Sequence, residues 1–288
     1  MKIGVVFPQT EIGADPGGVR EFAQAAEAMG YSHILAFDHV IGASRASRPD
    51  WAGPYDLDSL FHEPFVMFGY MAGLTASIEF ATGIVILPQR QTVLVAKQAA
   101  ALDVLSGGRL RLGIGIGWNE VEFEALNENF RDRGRRSEEQ VEVMRALWTQ
   151  EAVTFNGRWH TITDAGINPL PVQRPIPVWF GGGAEAVLRR IARIGDGWMP
   201  QWQPGDEGRA QLAKLHEYAR DAGRDPAEIG IDGRVAGRLS SEAGWADAVQ
   251  AWRDIGATHI EVSTMGDGLR GPEAHIQRLE QFTQAAGL

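Results

Sequence analysis

The sequence contains no cysteine, which excludes disulfide bonds, thiolate metal sites and cysteine nucleophiles. No apolar run approaches the length of a membrane span, and the N-terminal run from Ile3 to Phe7 is too short for the hydrophobic region of a signal peptide. Basic residues are also scarce, since 27 Lys and Arg face 37 Asp and Glu for a formal net charge of −10. These absences predict a cytoplasmic protein that binds neither nucleic acid nor an anionic membrane.

Metal-binding signatures are missing as well. The seven histidines form neither an H-E-x-x-H nor an H-x-x-E-H pattern, and the carboxylates show no metal spacing. His33 and His259 each open a predicted strand, where a structural role is expected. The sequence therefore predicts no metal site.

Glycine, by contrast, is abundant and divides the chain into repeated units. A segment with helical periodicity ends at a glycine and an apolar strand follows within a few residues, at Gly30, Gly107, Gly195 and Gly256. Glycine is favoured just after a helix because it adopts the left-handed backbone conformation without a Cβ clash. The pattern predicts strands that alternate with helices.

Eight strands are predicted, and most are short and continuously apolar, as strands buried on both faces are. They are Lys2–Phe7, His33–Phe37, Phe80–Leu87, Leu110–Ile116, Pro177–Phe180, Gly197–Met199, Glu228–Ile231 and His259–Val262. Strands that alternate with helices favour a parallel sheet, and eight such units fit a (β/α)8 TIM barrel. We expect residues 1–288 to form a single barrel domain. A doubly wound open sheet is the alternative.

Two long segments interrupt this rhythm. The first, residues 41–64, is a polar loop after the second strand, and the second, residues 118–175, follows the fourth strand. The second contains a predicted helix and a predicted hairpin with Asn156-Gly157 at its turn. Long loops in compact domains are usually lids, binding loops or disordered segments. Because both follow strands, they are expected at the catalytic face of the barrel.

Asp38 and His39 stand where the second buried strand stops. Barrel active sites are built from the C-terminal ends of strands, and histidine titrates close enough to neutrality to transfer protons. Side chains alternate along a regular strand, so only one of the two should face the barrel mouth. The alternative is structural, with Asp38 capping a turn and His39 on the surface.

The stretch GIGIGWNE, which starts at Gly113, is rich in alternating glycines. It is not a dinucleotide-binding fingerprint, because Trp118 occupies the place of the third required glycine. Gly113, Gly115 and Gly117 leave one face of the strand nearly bare. Such a face permits close packing of neighbouring elements, or the approach of a flat ring to the barrel wall.

A second glycine stretch ends the fifth strand. Gly181, Gly182 and Gly183 lead directly into a predicted helix. Backbone N–H groups at a helix start can bind an anion without a lysine, so the order strand–glycines–helix favours a phosphate site. A simple tight turn is the alternative. No Walker lysine follows, so nucleotide hydrolysis is not predicted.

Taken together, these stretches resemble a known family. The run VAKQAAALDVLSGGRLRLGIGIGWNEVEFEALN, with FDHV, TGIVILPQRQ and VWFGGGAEAVLRRIARIGDGW, is similar to the bacterial luciferase-like flavin and deazaflavin oxidoreductases over nearly the whole chain. The resemblance implies a (β/α)8 barrel, a homodimer or higher homo-oligomer, and a reducible tricyclic cofactor at the C-terminal mouth. The Asp-His pair and the Gly-Trp-Asn turn are most similar to the branch that uses coenzyme F420, whereas other members use FMN.

The resemblance also implies roles for particular residues. Asp38 and His39 would be catalytic and lie near the reactive ring, with His39 the proton donor or acceptor. Gly83 and Ile84 would be joined by a non-proline cis peptide that bulges against the ring. The remaining cofactor-binding residues would be Gly117, Trp118 and Asn119 at the ring or its side chain, and Gly181, Gly182 and Gly183 at the phosphate.

The expected function is hydride transfer between coenzyme F420 and a small organic substrate. Two interpretations stand for a set of six aromatic residues: an aromatic, apolar substrate pocket, or packing in the core or in a lid. The set is Phe7, Trp51, Tyr55, Trp118, Trp198 and Trp202. The first alternative is an FMN-dependent monooxygenase, and the second is a non-catalytic barrel that binds a flavin.

Overall fold

The computed structural model describes residues 1–237 and 242–287 and forms a closed parallel barrel. The strands are β1 (Lys2–Val6), β2 (His33–Ala36), β3 (Glu79–Thr82), β4 (Val85–Ile86), β5 (Leu110–Gly115), β6 (Val153–Asn156), β7 (Thr161–Ala165), β8 (Val178–Gly181), β9 (Gly197–Met199), β10 (Gly230–Ala236) and β11 (His259–Ser263). Strands β3 and β4 are two halves of one barrel strand. Around the barrel the parallel order is β1, β2, β3–β4, β5, β8, β9, β10 and β11, which pairs with β1 again. The closure confirms the predicted barrel and excludes the open sheet.

Helices surround the barrel. They are α1 (Pro16–Ala28), α2 (Pro64–Ala72), α3 (Thr92–Ser106), α4 (Glu120–Ala125), α5 (Arg133–Thr149), α6 (Glu185–Ile194), α7 (Asp206–Asp221), α8 (Glu242–Asp254) and α9 (Gly271–Ala286). Local sequence sets their ends: Asp15 caps α1 by accepting from the Gly17 amide, and Gly107 ends α3 at φ 73°. Gly195 differs from the prediction because it follows α6 in an extended conformation, with φ −85°. No described helix has the length and apolar composition needed to cross a lipid bilayer.

The barrel interior is filled by large side chains that lie against glycines. The His33 ring crosses Gly4 and the Trp179 ring crosses Gly197, where an added Cβ would come within 2.4 Å and 2.2 Å of those rings. Glycine on one strand thus makes room for a ring on the next. The interior side chains close the lower part of the barrel, so any open space lies at its mouth.

The seventh barrel strand is where the sequence prediction was least accurate. The predicted strand Glu228–Ile231 is instead a 3-10 turn over Pro226–Glu228 followed by β10. Asp232 and Arg234 interrupt the apolar run because they face the barrel interior and bind other charged groups there. A prediction based on continuous apolar runs therefore ends the strand at Ile231, before these charged residues.

The two long insertions lie where the sequence predicted them. Residues 37–63, after β2, contain no helix or strand. After β5 the chain forms α4, α5 and the antiparallel β6–β7 hairpin, which turns at Gly157 as predicted. Both insertions follow the C-terminal ends of strands and therefore lie at the barrel mouth.

Candidate active site

A cavity of about 680 Å³ opens at the C-terminal ends of the barrel strands. Its walls come from the loop after β2, the junction of β3 and β4, the turns after β5 and β8, and the loop after β9. Its floor comes from β10 and β11. This volume lies in the usual range for small-molecule and cofactor sites.

Asp38 lies in the wall and is almost completely buried. Its carboxylate accepts hydrogen bonds from Arg90 Nη2 at 2.7 Å and from the Ile86 amide at 3.1 Å. Burial raises the pKa of Asp38, and the charge of Arg90 opposes that shift. Arg90 also donates to Glu63 Oε1 at 2.9 Å. Asp38 is therefore the centre of a buried ion pair that fastens the loop after β2 to β4.

His39 borders the cavity and is oriented by Glu122. The Nδ1 atom of His39 lies 2.9 Å from Glu122 Oε1, and the same carboxylate accepts from the Val40 amide at 3.1 Å and from Gln89 Nε2 at 2.9 Å. Burial alone raises the pKa of Glu122, but the hydrogen bonds from His39 and Gln89 bring it below its ordinary value. An ionised carboxylate only accepts, so Nδ1 carries the proton that it donates. In the neutral ring, Nε2 is then the free proton acceptor.

Both Asp38 and His39 line the cavity, although strict alternation would bring only one of them to the mouth. The reason is that β2 ends at Ala36, one residue before the predicted end, so the strand geometry no longer applies at residue 38. The His39 ring lies among Tyr55, Phe61 and Trp118, at centroid distances of 4.6, 4.8 and 5.8 Å. These rings limit the access of water to the imidazole.

The peptide bond between Gly83 and Ile84 is cis, as the family resemblance implied. The Ile84 side chain lies over Gly115 and Gly181, where added Cβ atoms would come within 2.4 Å and 2.9 Å of it. Gly113 is similarly covered by Met199 and by the carbonyl of Thr82. Close packing thus explains the bare face of β5, and Ile84 and Met199 present the apolar surface to the cavity.

The turn after β5 separates the three residues that the resemblance grouped together. Gly117 has φ 72° and lines the cavity beside Trp118, whose side chain is 45% exposed at the mouth. Asn119 is buried and does not line this cavity, because its side chain caps α4 by accepting from the Val121 amide at 3.1 Å. A cap explains Asn119 without a ligand.

The three glycines after β8 line the opposite wall. Gly182 has φ 112°, and Trp198 Nε1 donates to its carbonyl at 2.6 Å, which fixes the turn. Helix α6 begins at Glu185, two residues after Gly183, without a side-chain cap. The amides of residues 183–186 donate to none of the described residues. They therefore form an open set of donors at a helix N-terminus, as anion sites require.

Only part of the predicted aromatic pocket borders the cavity. Tyr55, Trp118 and Trp202 line it. Phe7 and Trp198 are fully buried in the core and do not line the cavity, so for these two the alternative of core packing is confirmed. Trp51 contacts Trp118 at the mouth, with ring centroids 5.8 Å apart.

The floor contains charged residues that the sequence analysis did not identify. Arg111 Nη1 lies 2.6 Å from Asp232 Oδ2, and Arg234 Nε lies 3.6 Å from Glu261 Oε2. His33 Nε2 is 3.9 Å from Asp232. Asp232, Arg234 and Glu261 line the cavity, whereas Arg111 lies beneath it against the Trp179 ring. Charged residues at alternate positions of β10, Asp232 and Arg234, are the sequence signal that could have identified this floor.

Three potential metal-ligand atoms of the floor, from His33, Asp232 and Glu261, lie within 4.8 Å of one another. Arg111 already supplies a positive charge at Asp232. A cation at this cluster would be repelled by that guanidinium. The absence of a metal site stays a prediction.

Glu122 and Arg90 were also missed by the sequence analysis. Glu122 lies on α4 and contacts His39 from 83 residues away in the chain. Arg90 lies just after β4 and contacts Asp38 from 52 residues away. No local pattern marks them, because their partners are distant in sequence.

Comparisons with known proteins agree with this architecture. The sequence model of the luciferase-like monooxygenases matches residues 1–286. An uncharacterized protein of Mycobacterium tuberculosis is 32% identical over 274 residues, which cover 91% of this chain and 92% of that relative. An FMNH2-dependent dimethylsulfone monooxygenase of Pseudomonas putida is 28% identical over 227 residues, which cover 77% of this chain and 59% of that relative.

Two solved structures share the fold over almost the entire chain. The monooxygenase RslO1 from Streptomyces bottropensis has a TM-score of 0.79 at 21% identity, covering 99% of this chain and 98% of its own. An F420-dependent secondary alcohol dehydrogenase in complex with an F420-acetone adduct has a TM-score of 0.78 at 17% identity, with the same coverage. At these identities the likeness shows the barrel fold alone.

Proposed function

Since the chain belongs to the family of luciferase-like monooxygenases, we propose that it is a coenzyme F420-dependent oxidoreductase that transfers a hydride between the deazaflavin and a small organic substrate. The observation that carries the proposal is the His39–Glu122 pair at the cavity wall. The pair leaves Nε2 of His39 available to accept or donate a proton. The imidazole lies beside a cavity whose size and apolar wall suit a flat ring.

The residues present fit such a cofactor. Ile84 and Met199 offer an apolar surface for the ring, and the amides of residues 183–186 offer donors for a phosphate. Gln211 Oε1 is buried near Gly183 without a hydrogen-bond donor among the described residues. An oxygen of this kind can accept a hydroxyl proton from the sugar-like chain that links ring and phosphate. Ring and anion thus have complementary groups in the cavity, and Gln211 lies behind the glycines at its edge.

The charge of the phosphate cradle favours the deazaflavin. None of the described cavity-lining residues near the three glycines is a lysine or arginine. Coenzyme F420 carries a phosphodiester with one negative charge, whereas the phosphate monoester of FMN carries about −1.5 to −2 at neutral pH. Backbone amides and a helix N-terminus supply only about half a unit of positive charge. This limited charge suits the singly charged group better.

When bound, coenzyme F420 supplies a ring carbon that carries a hydride. His39 Nε2 would take or give the proton that accompanies the hydride, while Glu122 keeps the Nδ1 proton in place and so fixes the tautomer. Asp38 would act through Arg90 by holding the strand end that positions His39. Tyr55, Phe61 and Trp118 would exclude water around the imidazole.

An FMN-dependent monooxygenase is the second candidate. It is supported by the dimethylsulfone monooxygenase relative, which is FMNH2-dependent and whose identity of 28% exceeds the 17% of the F420-dependent structure. The same cavity would then hold reduced flavin, and His39 would serve oxygen chemistry instead of hydride transfer.

A homodimer or higher homo-oligomer is also part of the proposal. Val66 on α2 and Val93, Leu94 and Leu105 on α3 are exposed, and α2 packs on α3. Adjacent exposed apolar side chains on two helices are typical of an interface. Size-exclusion chromatography with light scattering would measure the number of subunits.

The first experiment is to titrate the purified protein with coenzyme F420 and with FMN in parallel and to follow the fluorescence of each cofactor. Tight binding of coenzyme F420 alone is the expected result, and it would direct substrate screens to carbonyls, imines and enones. Tight binding of FMN alone would overturn the first proposal in favour of the monooxygenase. A Gly182→Ala variant should weaken binding of the preferred cofactor, because φ 112° disfavours any side chain there.

A further inference from the structure

Arg234 extends from the floor into the cavity, and its side chain donates no hydrogen bond to any described residue. Its side chain is 42% exposed, and its Nε atom lies 3.6 Å from Glu261 Oε2, which is too long for a hydrogen bond. Arg90, at the same barrel mouth, instead donates to two carboxylates at 2.7 and 2.9 Å. Arg234 is thus the cavity-lining arginine whose donors are still available.

We propose that Arg234 recognises an organic anion, a carboxylate carried by the substrate, and thereby restricts the enzyme to acidic substrates. This inference rests on the proposed hydride transfer, because it assigns a carboxylate to the substrate of that reaction. The reasons are the charge balance of the floor and the geometry around the guanidinium.

The charged groups of the floor leave the guanidinium of Arg234 without a close partner. Arg111 contacts Asp232 at 2.6 Å, so these two side chains pair with each other. Glu261 lies too far from Arg234 for a hydrogen bond and so leaves the donors of the guanidinium unused. Burial and the charge of Asp232 also raise the pKa of Glu261 well above its ordinary value, which favours the neutral form of that carboxyl.

The surroundings of Arg234 suit a planar anion. The guanidinium lies over the Phe37 ring at 4.9 Å, which holds its plane against one wall. Tyr55 lines the same cavity, and its hydroxyl forms no hydrogen bond with a described residue. The positive charge of Arg234 reaches that hydroxyl, because it opposes the rise that burial causes in the pKa of Tyr55. A carboxylate here can take a two-pronged contact from Arg234, with Tyr55 as a further donor.

The anion position is separate from the phosphate cradle. The cradle lies after β8, whereas Arg234 lies on β10 beside the loop that carries His39. Among the described residues that line the cavity, Arg234 alone has a permanently cationic side chain. A substrate anchored there would keep its reducible group within the cavity and near His39.

The test compares trans-cinnamate with cinnamamide, which have similar size but differ in charge. Binding of each to the purified protein, with and without coenzyme F420, is followed by the quenching of tryptophan emission, since Trp118 and Trp202 line the cavity. We expect cinnamate to bind roughly 10- to 100-fold more tightly, as hydrogen bonds to charged groups predict. Arg234→Gln should abolish that preference, and Arg234→Lys should keep part of it. Arg209→Gln, an exposed change on α7, should leave the preference unchanged.

The outcomes separate this inference from the proposed function. Equal binding of acid and amide, no binding of cinnamate at millimolar concentrations, or an Arg234→Gln variant that still prefers the acid would each overturn the inference. Weaker binding of coenzyme F420 by Arg234→Gln would also overturn it, because the anion would then belong to the cofactor. An Arg234-dependent preference in a protein that does not bind coenzyme F420 would leave the inference standing while the proposed cofactor falls.

Discussion

Glu122 and Glu261 are both buried glutamates of the same barrel mouth, yet their pKa values shift in opposite directions. Glu122 receives hydrogen bonds from His39, Gln89 and the Val40 amide. Glu261 instead faces the carboxylate of Asp232, and Arg234 stays 3.6 Å away. Burial raises the pKa in both cases, so the neighbouring groups decide the direction of the net shift.

The difference assigns the two ends of the cavity different tasks. At the wall, the charge of Glu122 is used within the protein to fix the tautomer of His39. At the floor, Glu261 forms no hydrogen bond with Arg234, so the guanidinium stays available to a ligand. The proposals of proton transfer at one end and ligand recognition at the other rest on this contrast.

The largest expected effect concerns His39. His39→Ala should lower turnover by about 10²- to 10⁴-fold, the usual contribution of general acid–base catalysis, while the affinity for coenzyme F420 stays unchanged. Steady-state rates with the first substrate found by screening, together with cofactor titration, would measure both. Unchanged turnover would remove His39 from the mechanism.

A matched control is available in the same chain. His160 Nδ1 lies 2.8 Å from Glu139 Oε1, which repeats the His39–Glu122 contact away from the cavity. His160→Ala should therefore leave turnover unchanged. Glu122→Gln should reduce turnover while preserving cofactor affinity, and it should alter the pH profile of the rate because Glu122 positions the imidazole.

The second effect concerns stability. Arg111→Met should destabilise the protein by about 3–5 kcal/mol, because the buried charge of Asp232 would lose its partner. Urea unfolding would measure the free energy, with the exposed change Arg209→Met as the control that leaves it unaltered. Adding Asp232→Asn to Arg111→Met should recover much of the loss. A double variant no more stable than the single one would contradict this pairing.

The smallest effect is a difference in pH dependence. The raised pKa of Glu261 means that the folded protein keeps a proton that the unfolded chain releases above its ordinary pKa of 4.5. Stability therefore falls as the pH rises above 4.5, with a slope of at most about 1.4 kcal/mol per pH unit. Glu261→Gln should remove this fall in stability. The free energy of unfolding of the variant should therefore exceed that of the parent protein by a margin that grows with pH.

Glu122→Gln should behave in the opposite way. The lowered pKa of Glu122 contributes stability that is present above 4.5 and is lost as the pH falls through the folded-state value. The variant should therefore be less stable than the parent at neutral pH and should approach it in acid. Urea unfolding from pH 4.5 to pH 8 tests Glu261→Gln, and unfolding from pH 8 down to about pH 3 tests Glu122→Gln. Curves parallel to those of the parent protein over these ranges would argue against the assigned pKa directions.

The sequence was sufficient for the barrel and for the residues that chain order places at strand ends. Short apolar strands, helices ending at glycine, and the stretch around Asp38 and His39 all depend on neighbours along the chain. Gly195 was misread because a glycine after a helix need not be left-handed, and here Ile191 lies against its Cβ position. Local patterns thus identify elements better than their end conformations.

The electrostatics of the site could not be predicted from neighbouring residues in the sequence. The partner of His39 comes from α4, and Asp232 and Glu261 meet only because β10 and β11 are paired in register. Asn119, which the resemblance assigned to the cofactor, caps α4 with its side chain, and its contact with a cofactor stays a prediction. Which charges compensate each other depends on distances across the barrel, and these are set only when it closes.

The Trp51–Trp118 contact joins the loop after β2 to the turn after β5, and the backbone at Gly53 lies against both rings. No barrel strand contributes to this contact. The entrance therefore rests on two loops outside the barrel strands. Within residues 41–64, Tyr55 and Phe61 contact the His39 ring and Glu63 binds Arg90, so these three support the site. Change at Trp51 can alter the entrance without removing any of these contacts, and a library randomised at residues 46–51 would explore substrates while retaining the catalytic pair.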